Sequence, residues 1–213
     1  MKLYNGPVSM FGAKAEIAAL EKGLDFEVEL VPFNLQTRYD PKHPDVLRIN
    51  PKKQVPVLID GDLELFDSTQ IFEYFEDIKP EPALWPREAK ARARARQIEL
   101  RSDEIFFGEV MKVINAASRT APETVQAMAA TNALYPEMEK YLLGDYFAAE
   151  FSYADIAFYM AQFYAALLGM PMPSELTKLN AWRERIAARP SVAFVTGRTW
   201  QFISASRAPA AAQ

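Results

Sequence analysis

Up to residue 80, short apolar clusters are separated by turn residues. The segments KLYN and FEVELVPF have the composition of strands, and SMFGAKAEIAALEKGL between them has helical spacing, with Gly23 placed to end the helix. VPVLID and LELF, joined by the tight turn GD, predict a β-hairpin, and STQIFEYFEDI predicts a closing helix. The order β-α-β, a loop-rich connection and then β-β-α is typical of a small α/β layer domain.

From residue 79 the pattern changes to almost continuous helix. The stretch KPEPALWP carries three prolines, so neither a helix nor a central strand continues through it. The helical segments that follow are REAKARARARQIELRSDEIFFGEVMKVINAA, ETVQAMAATNALYPEMEKYLL, YADIAFYMAQFYAALLGM, ELTKLNAWRERIAAR and SVAFVTGRTWQFI. We therefore predict an α/β domain at residues 1–78, a linker at 79–87 and an all-α helical-bundle domain at 88–213, whose tail ASRAPAAAQ is expected to fray.

The composition is that of an ordinary globular protein, with 50% hydrophobic and 24% charged residues. The net charge of −4 gives no electrostatic case for nucleic acid or an anionic membrane surface as a partner. The basic run KARARARQ is interpreted as a solvated helical face. No apolar run approaches the roughly 20 residues needed to cross a bilayer, and MKLYNGPVSMF reads as a strand rather than a signal peptide. A cytoplasmic protein is expected.

The chain has no cysteine and one histidine, His43 in DPKHPD. The absence of cysteine excludes disulfides, thiolate–metal sites and redox chemistry with an enzyme thiol. A lone histidine makes a transition-metal site or a Ser-His-Asp triad hard to assemble, and we expect His43 in a solvated loop. The chemistry is therefore expected to use a hydroxyl, backbone groups or a reactive group brought by a ligand, without a metal.

Two helix starts carry capping signals. In FSYAD, Ser152 and Asp155 have the spacing of a capping box, in front of a helix that is apolar nearly all round and is therefore expected to be buried. In FDSTQ, Asp67 or Ser68 is expected to cap the next helix, whose free N–H groups and positive dipole end form an anion site. Pro56 stands at the head of a core strand, a position that proline tolerates at a strand start, edge or bulge.

Together, NPKKQVPVL, FDSTQI, the proline-rich linker, the helical second half and FSYAD resemble a cytosolic glutathione S-transferase along essentially the whole chain. The resemblance implies a thioredoxin-like N-terminal domain that binds glutathione and a helical C-terminal domain that holds a small hydrophobic electrophile. It also implies a homodimer. Two alternatives stay open, since a fold does not determine a function. One is a glutathione-dependent isomerase or reductive dehalogenase, and the other is a non-enzymatic module that binds proteins.

The resemblance also implies a set of glutathione-binding residues. Pro56 would follow a cis peptide bond, and Val55 before it would pair its backbone with the cysteinyl part of glutathione. Ser68 would hold the γ-glutamyl carboxylate, and Asp67, where glutamate is commoner, would face the ammonium group. Gln54 would help to hold the glycyl end. Further candidates are Lys53, for a carboxylate of glutathione, and Asp103, for the glutathione of a partner subunit.

The thiol-activating group implied by the resemblance is Ser9, in the loop before the first helix. There its hydroxyl and the helix N-terminus would stabilise a thiolate. Met10 follows the serine, where the family usually has proline, cysteine or a small residue. Two alternatives remain, namely Tyr4 as the hydroxyl donor, or no dedicated hydroxyl, with Ser9 serving as the helix N-cap. The residues expected to line the electrophile pocket are Met10, Phe11, Phe106, Phe107 and Met111.

Overall fold

The computed structural model describes residues 1–40 and 42–207, and these residues form two compact units. The first unit contains residues 1–82 together with the chain from Arg189 onward, and the second contains residues 83–188. In chain order the elements are β1 (Lys2–Asn5), α1 (Met10–Glu21), β2 (Glu27–Leu30), α2 (Pro44–Ile49), β3 (Val57–Asp60), β4 (Leu63–Phe66), α3 (Ser68–Ile78), α4 (Ala89–Leu100), α5 (Phe107–Asn115), α6 (Pro122–Tyr141), α7 (Tyr153–Leu167), α8 (Thr177–Ala187) and α9 (Pro190–Arg207).

The first unit is built on a four-stranded sheet in the order β2-β1-β3-β4. β1 and β2 are parallel, while β3 is antiparallel to both β1 and β4. The predicted hairpin is confirmed, because Asp60 pairs with Leu63 across a turn in which Gly61 has a φ of 61°. The predicted α/β layer is confirmed as well, since α1 and α3 pack on the sheet around a buried cluster that includes Leu3, Leu58 and Phe75.

The connection between β2 and β3 contains the short helix α2, which the sequence did not indicate. His43, expected in a solvated loop, is instead the N-cap of this helix, so that expectation was wrong. Its Nδ1 accepts the Asp45 N–H at 3.3 Å, its Nε2 lies 3.1 Å from Glu29 Oε1, and its ring lies 4.9 Å from that of Tyr4. His43 therefore has a structural role.

In the second unit the predicted long helix runs from Ala89 to Asn115, but it changes its hydrogen-bonding pattern on the way. The segment Arg101–Phe106 between α4 and α5 is π-helical. The basic residues of α4 lie mostly on an exposed face, as expected. The helix α7 is buried along nearly its whole length, which confirms its predicted central position.

The carboxylate of Asp155 brings together three separate parts of the second unit. Its Oδ2 accepts both the N–H and the hydroxyl of Ser152 at 2.9 Å, and the predicted capping box is present. Its Oδ1 accepts the Phe147 N–H at 3.0 Å and the Trp182 Nε1–H at 2.9 Å. Burial raises the pKa of Asp155, although these four hydrogen bonds act in the opposite direction.

The last helix, α9, packs on α1 within the first unit. The sequence assigned this helix to the all-α domain, and the division of the chain at residues 79–87 stays a prediction. Residues 205–207 of the tail expected to fray continue α9, and the rest of that tail lies outside the described residues. Across residues 1–40 and 42–207, every helix is too short or too polar to span a membrane.

Candidate active site

The register of the sheet brings three loops to one end of the first unit. Tyr4 near the end of β1 pairs with Val57 at the start of β3, and Val57 also pairs with Phe66 at the end of β4. The chain therefore leaves β1, enters β3 and leaves β4 at the same end of the sheet. The loops there are the Ser9 turn (residues 6–9), the cis-proline loop (residues 53–56) and the Asp67 corner (residues 67–68).

Ser9 closes the first of these loops and begins α1. Its backbone is extended, its N–H donates to the Gly6 carbonyl at 3.1 Å, and its Oγ accepts the Gly12 N–H at 3.0 Å. The side chain is half-buried. Accepting the cap bond uses a lone pair of Oγ and leaves the hydroxyl proton available for a second hydrogen bond. Within residues 1–40 and 42–207 that O–H donates to no protein acceptor.

Tyr4, the alternative hydroxyl donor, is engaged elsewhere. It is buried, and its hydroxyl donates to Asp45 Oδ2 at 2.8 Å. Burial raises the pKa of Tyr4, and the hydrogen bond to Asp45 and the charge of that carboxylate raise it further. A phenol that is buried and already donates its hydrogen bond to a carboxylate is poorly suited to donate one to a ligand thiol.

The cis-proline loop presents open backbone groups. The Val55–Pro56 peptide bond is cis, as the resemblance implied. In the part of the chain that the structure describes, neither the N–H nor the C=O of Val55 makes a backbone hydrogen bond. Asn50 shapes the loop, because its Nδ2 donates to the Gln54 carbonyl and its own carbonyl accepts the Lys53 N–H at 2.7 Å. The side chains of Lys53 and Gln54 are exposed.

The Asp67 corner starts α3. Asp67 is the N-cap, and its Oδ1 accepts the N–H groups of Thr69 at 3.0 Å and Gln70 at 3.3 Å. This confirms that one of the two predicted residues caps the helix. Asp67 has a φ of 77°, a left-handed conformation that costs a non-glycine residue about 1–3 kcal/mol. Ser68 is the first residue of α3 and is 2% exposed.

Two models of one family match the two halves of the chain. The N-terminal domain of glutathione S-transferase matches residues 3–83, and its C-terminal domain matches residues 102–190. The chain belongs to the cytosolic glutathione S-transferase family. The predicted fold class, a thioredoxin-like α/β domain followed by an all-α domain, is thereby confirmed.

Two curated relatives of this chain are named as different kinds of protein. A stringent starvation protein A homolog of Coxiella burnetii is 33% identical over 126 residues, which cover 58% of this chain and 56% of the relative. Glutathione S-transferase Z2 of Arabidopsis thaliana is 35% identical over 129 residues, which cover 57% of this chain and 56% of the relative. The chain thus spans little more than half the length of these relatives.

Among solved structures, a glutathione transferase homolog from Sulfitobacter, with bound glutathione, is similar to this chain. It has 25% sequence identity and a TM-score of 0.78, over 92% of this chain and 97% of that one. A relative of the same fold therefore holds glutathione.

The candidate electrophile residues of this transferase fold differ in burial. Met10 and Phe106 are 2% and 1% exposed, and Phe107 is buried as well. Phe106 packs edge-on against Tyr135 at 5.0 Å, inside the second unit. The residues among the five that keep partly exposed side chains are Phe11 and Met111. Asp103, also half-buried, lies on the π-helical segment.

Two residues beside the Ser9 turn were missed by the sequence reasoning. Asn5 ends β1, and its Oδ1 accepts the Gly6 N–H at 2.7 Å. A Cβ placed on Gly6 would lie 2.2 Å from the Tyr39 hydroxyl, and burial raises the pKa of Tyr39 far above its usual value. The dipeptide Asn5-Gly6 is a turn signal that could have identified Asn5, but nothing local points to Tyr39.

Among the described residues, no group of three acidic or histidine side chains suits a metal ion.

Proposed function

We propose that this protein is a glutathione transferase in which Ser9 activates the glutathione thiol. The observation that carries the proposal is the Ser9 hydroxyl, which accepts the cap bond from Gly12 and keeps its proton for a ligand. The N-cap role of Ser9, set out above as an alternative to catalysis, is thus compatible with a role in activating the thiol.

The thiol group would be stabilised as a thiolate beside Ser9. A hydrogen bond to a charged partner is worth roughly 1.5–3 kcal/mol. Since one pKa unit corresponds to about 1.4 kcal/mol, the pKa of the bound thiol would fall by about one to two units. The N-terminus of α1, where Ser9 lies, favours the same negative charge. The thiol proton passes to solvent, sulfur forms a bond to an electrophilic carbon, and a leaving group departs with the bonding electron pair.

The other two loops would hold the rest of glutathione. Since the N–H and C=O of Val55 make no backbone hydrogen bond to any residue that the structure describes, a short peptide can add to the chain there as an extra strand. The N-terminus of α3 suits the γ-glutamyl carboxylate at Ser68, and Asp67 offers negative charge for the ammonium group. The remaining proposed contacts are Pro56, Gln54 and Lys53.

The electrophile pocket and the assembly are proposed from the family. Phe11 in the first unit and Met111 in the second each keep a partly exposed apolar side chain of the kind that suits a small hydrophobic electrophile. Met10, Phe106 and Phe107 are buried and are carried over as candidates from the family resemblance. We also infer a cytoplasmic homodimer in which Asp103 reaches the partner's glutathione. Sedimentation of the purified protein tests the dimer.

A titration of ultraviolet thiolate absorbance tests the role of Ser9. Because the chain lacks cysteine, any thiolate signal below about pH 10, where tyrosines ionise, comes from glutathione. The wild type is compared with Ser9→Ala and with Tyr4→Phe, which removes the other candidate hydroxyl. We expect a lowered pKa for the bound thiol in the wild type and in Tyr4→Phe, and a value close to that of free glutathione in Ser9→Ala.

Other outcomes favour other functions. Binding of glutathione with an unshifted pKa in the wild type would remove Ser9 from its role and favour isomerase or dehalogenase chemistry. One relative is named glutathione S-transferase Z2, whereas another is named stringent starvation protein A homolog, a name that states no reaction with glutathione. Failure to bind glutathione at all would therefore favour the non-enzymatic protein-binding alternative.

A further inference from the structure

A chain of polar contacts links α9 to the Ser9 turn inside the first unit. Asn5 is 1% exposed, and its Oδ1 accepts the Gly6 N–H at 2.7 Å. Its Nδ2 donates to Oε2 of Glu16 on α1 at 2.7 Å. Glu16, also 1% exposed, is held by Arg198 of α9, whose Nη1 donates to Oε1 at 2.8 Å and whose Nη2 donates to Oε2.

The Asn5 amide lies against two residues that make hydrogen bonds with Ser9, one with its hydroxyl and one with its backbone N–H. A Cβ placed on Gly12 would lie 1.7 Å from Asn5 Oδ1 and 3.2 Å from Ser9 Oγ. Gly12 donates the cap bond to Ser9, and Gly6 accepts the Ser9 N–H. The amide oxygen therefore lies against two of the residues that make hydrogen bonds with Ser9, namely Gly6 and Gly12.

Glu16 determines which way this amide points. A carboxylate only accepts hydrogen bonds, whereas an amide has one donor end and one acceptor end. The NH₂ group of Asn5 must therefore face Glu16, which turns its oxygen to the Gly6 N–H. If the amide were reversed, its NH₂ group would face the Gly6 N–H, and two hydrogen-bond donors would oppose each other. Arg198 supplies the opposite charge that a buried carboxylate requires.

We propose that Glu16, held by Arg198, is a positioning residue for the Ser9 hydroxyl and acts through the Asn5 amide. The proposal rests on the proposed role of Ser9 with glutathione. Under it, the C-terminal helix contributes to the reactivity of the bound thiol, in addition to its contribution to packing.

A pair of matched variants tests the proposal. Glu16→Gln removes the carboxylate that orients Asn5. Glu21→Gln weakens the ion pair of Glu21 on α1 with Arg189 just before α9. The Glu21 carboxylate accepts hydrogen bonds from Arg189 and Ser191 rather than from Asn5. We expect the pKa of bound glutathione to rise by about one unit in Glu16→Gln and to stay unchanged in Glu21→Gln. Affinity for S-methylglutathione, which has no thiol, should stay close to the wild-type value in both variants.

Two results of this titration would overturn the proposal. One is an unchanged thiol pKa in Glu16→Gln while Ser9→Ala still raises it, which would leave the role of Ser9 intact. The other is an equal rise in both glutamine variants, because a general loosening of α9 would then explain it.

Hydrogen exchange of the Gly6 N–H in ligand-free protein gives a readout independent of glutathione. We expect faster exchange in Glu16→Gln than in the wild type or Glu21→Gln. Unchanged protection in Glu16→Gln would exclude the link through Asn5. Faster exchange together with an unshifted wild-type thiol pKa would instead contradict the role of Ser9. If Glu16→Gln does not fold, Arg198→Lys is measured in the same ways, with Arg189→Lys as its control.

Discussion

Arg189 and Glu21 form a bidentate ion pair although they lie 168 positions apart in the chain. The arginine Nε donates to Oε1 at 2.8 Å, and its Nη2 donates to Oε2 at 2.6 Å. The hydroxyl of Ser191 donates to the same carboxylate. These contacts attach the beginning of α9 to the end of α1. The side chains of Val192 and Val195 in α9 are fully buried.

The first prediction concerns Glu21→Gln and pH. Burial would raise the pKa of Glu21, but hydrogen bonds from Arg189 and Ser191 and the arginine charge outweigh it, so the pKa is lowered. A lowered pKa stabilises the folded protein above the unfolded value of about 4.3, and this stabilisation is lost as the pH falls. Because the pair is partly exposed, the variant should lose about 1 kcal/mol of unfolding free energy at pH 7.

Denaturant unfolding at a series of pH values checks this prediction. The gap between the wild type and Glu21→Gln should close as the solution is acidified through the range where Glu21 gains its proton. A gap that stays constant would show that the pair contributes packing rather than charge.

The second prediction concerns Asp155→Asn and has the opposite pH dependence. The raised pKa of Asp155 means that this carboxyl group binds its proton more tightly in the folded protein than in the unfolded chain. Its contribution to stability is therefore fully present below about pH 3.9 and declines as the pH rises through the folded-state pKa. We expect the advantage of the wild type over Asp155→Asn to be larger in acid than at neutral pH.

Thermal unfolding across the same pH range measures this advantage. Trp182→Phe serves as the control, because it removes one donor and leaves the carboxyl group in place. An advantage that grows from acid to neutral pH would contradict the raised pKa.

The third prediction separates two roles of Asp67. Asp67→Asn keeps a side-chain oxygen for the cap but loses the charge, so stability should be nearly unchanged while glutathione binds about tenfold more weakly. Asp67→Ala loses both and should also cost about 1 kcal/mol of stability. Asp67→Gly loses the carboxylate as well, but it relieves the positive φ and should be more stable than the alanine variant.

Calorimetric titration with glutathione and denaturant unfolding of the three variants check this order. Full affinity in Asp67→Asn would show that the carboxylate does not face the ammonium group. Equal stability of the alanine and glycine variants would show that the left-handed backbone carries little strain.

Local patterns were sufficient for much of the fold. The β3–β4 hairpin follows from two short apolar runs around Gly61, and the start of α7 follows from Ser152 and Asp155. The helix α2 was missed because its six residues, PDVLRI, are too few to show a helical period. The π-helical segment was missed because its sequence continues the helical pattern on both sides.

The candidate site could be predicted only where its residues act locally. Ser9 and Asp67 are N-caps and stand directly before helices, where capping residues are expected. The link from Asn5 through Glu16 to Arg198 joins a strand end, a helix and the last helix. Such a link depends on the docking of α9, and no pattern in a short window of sequence contains it.

The position of α9 in the first unit has a consequence for synthesis on the ribosome. Domains usually fold in order from the N-terminus as the chain emerges. Here the sheet and α1 are made first, yet Arg189 and Arg198 emerge only after the entire second unit. Until then the nascent chain carries Glu16 and Glu21 without their arginine partners. The first unit is therefore completed only after the second unit has been made.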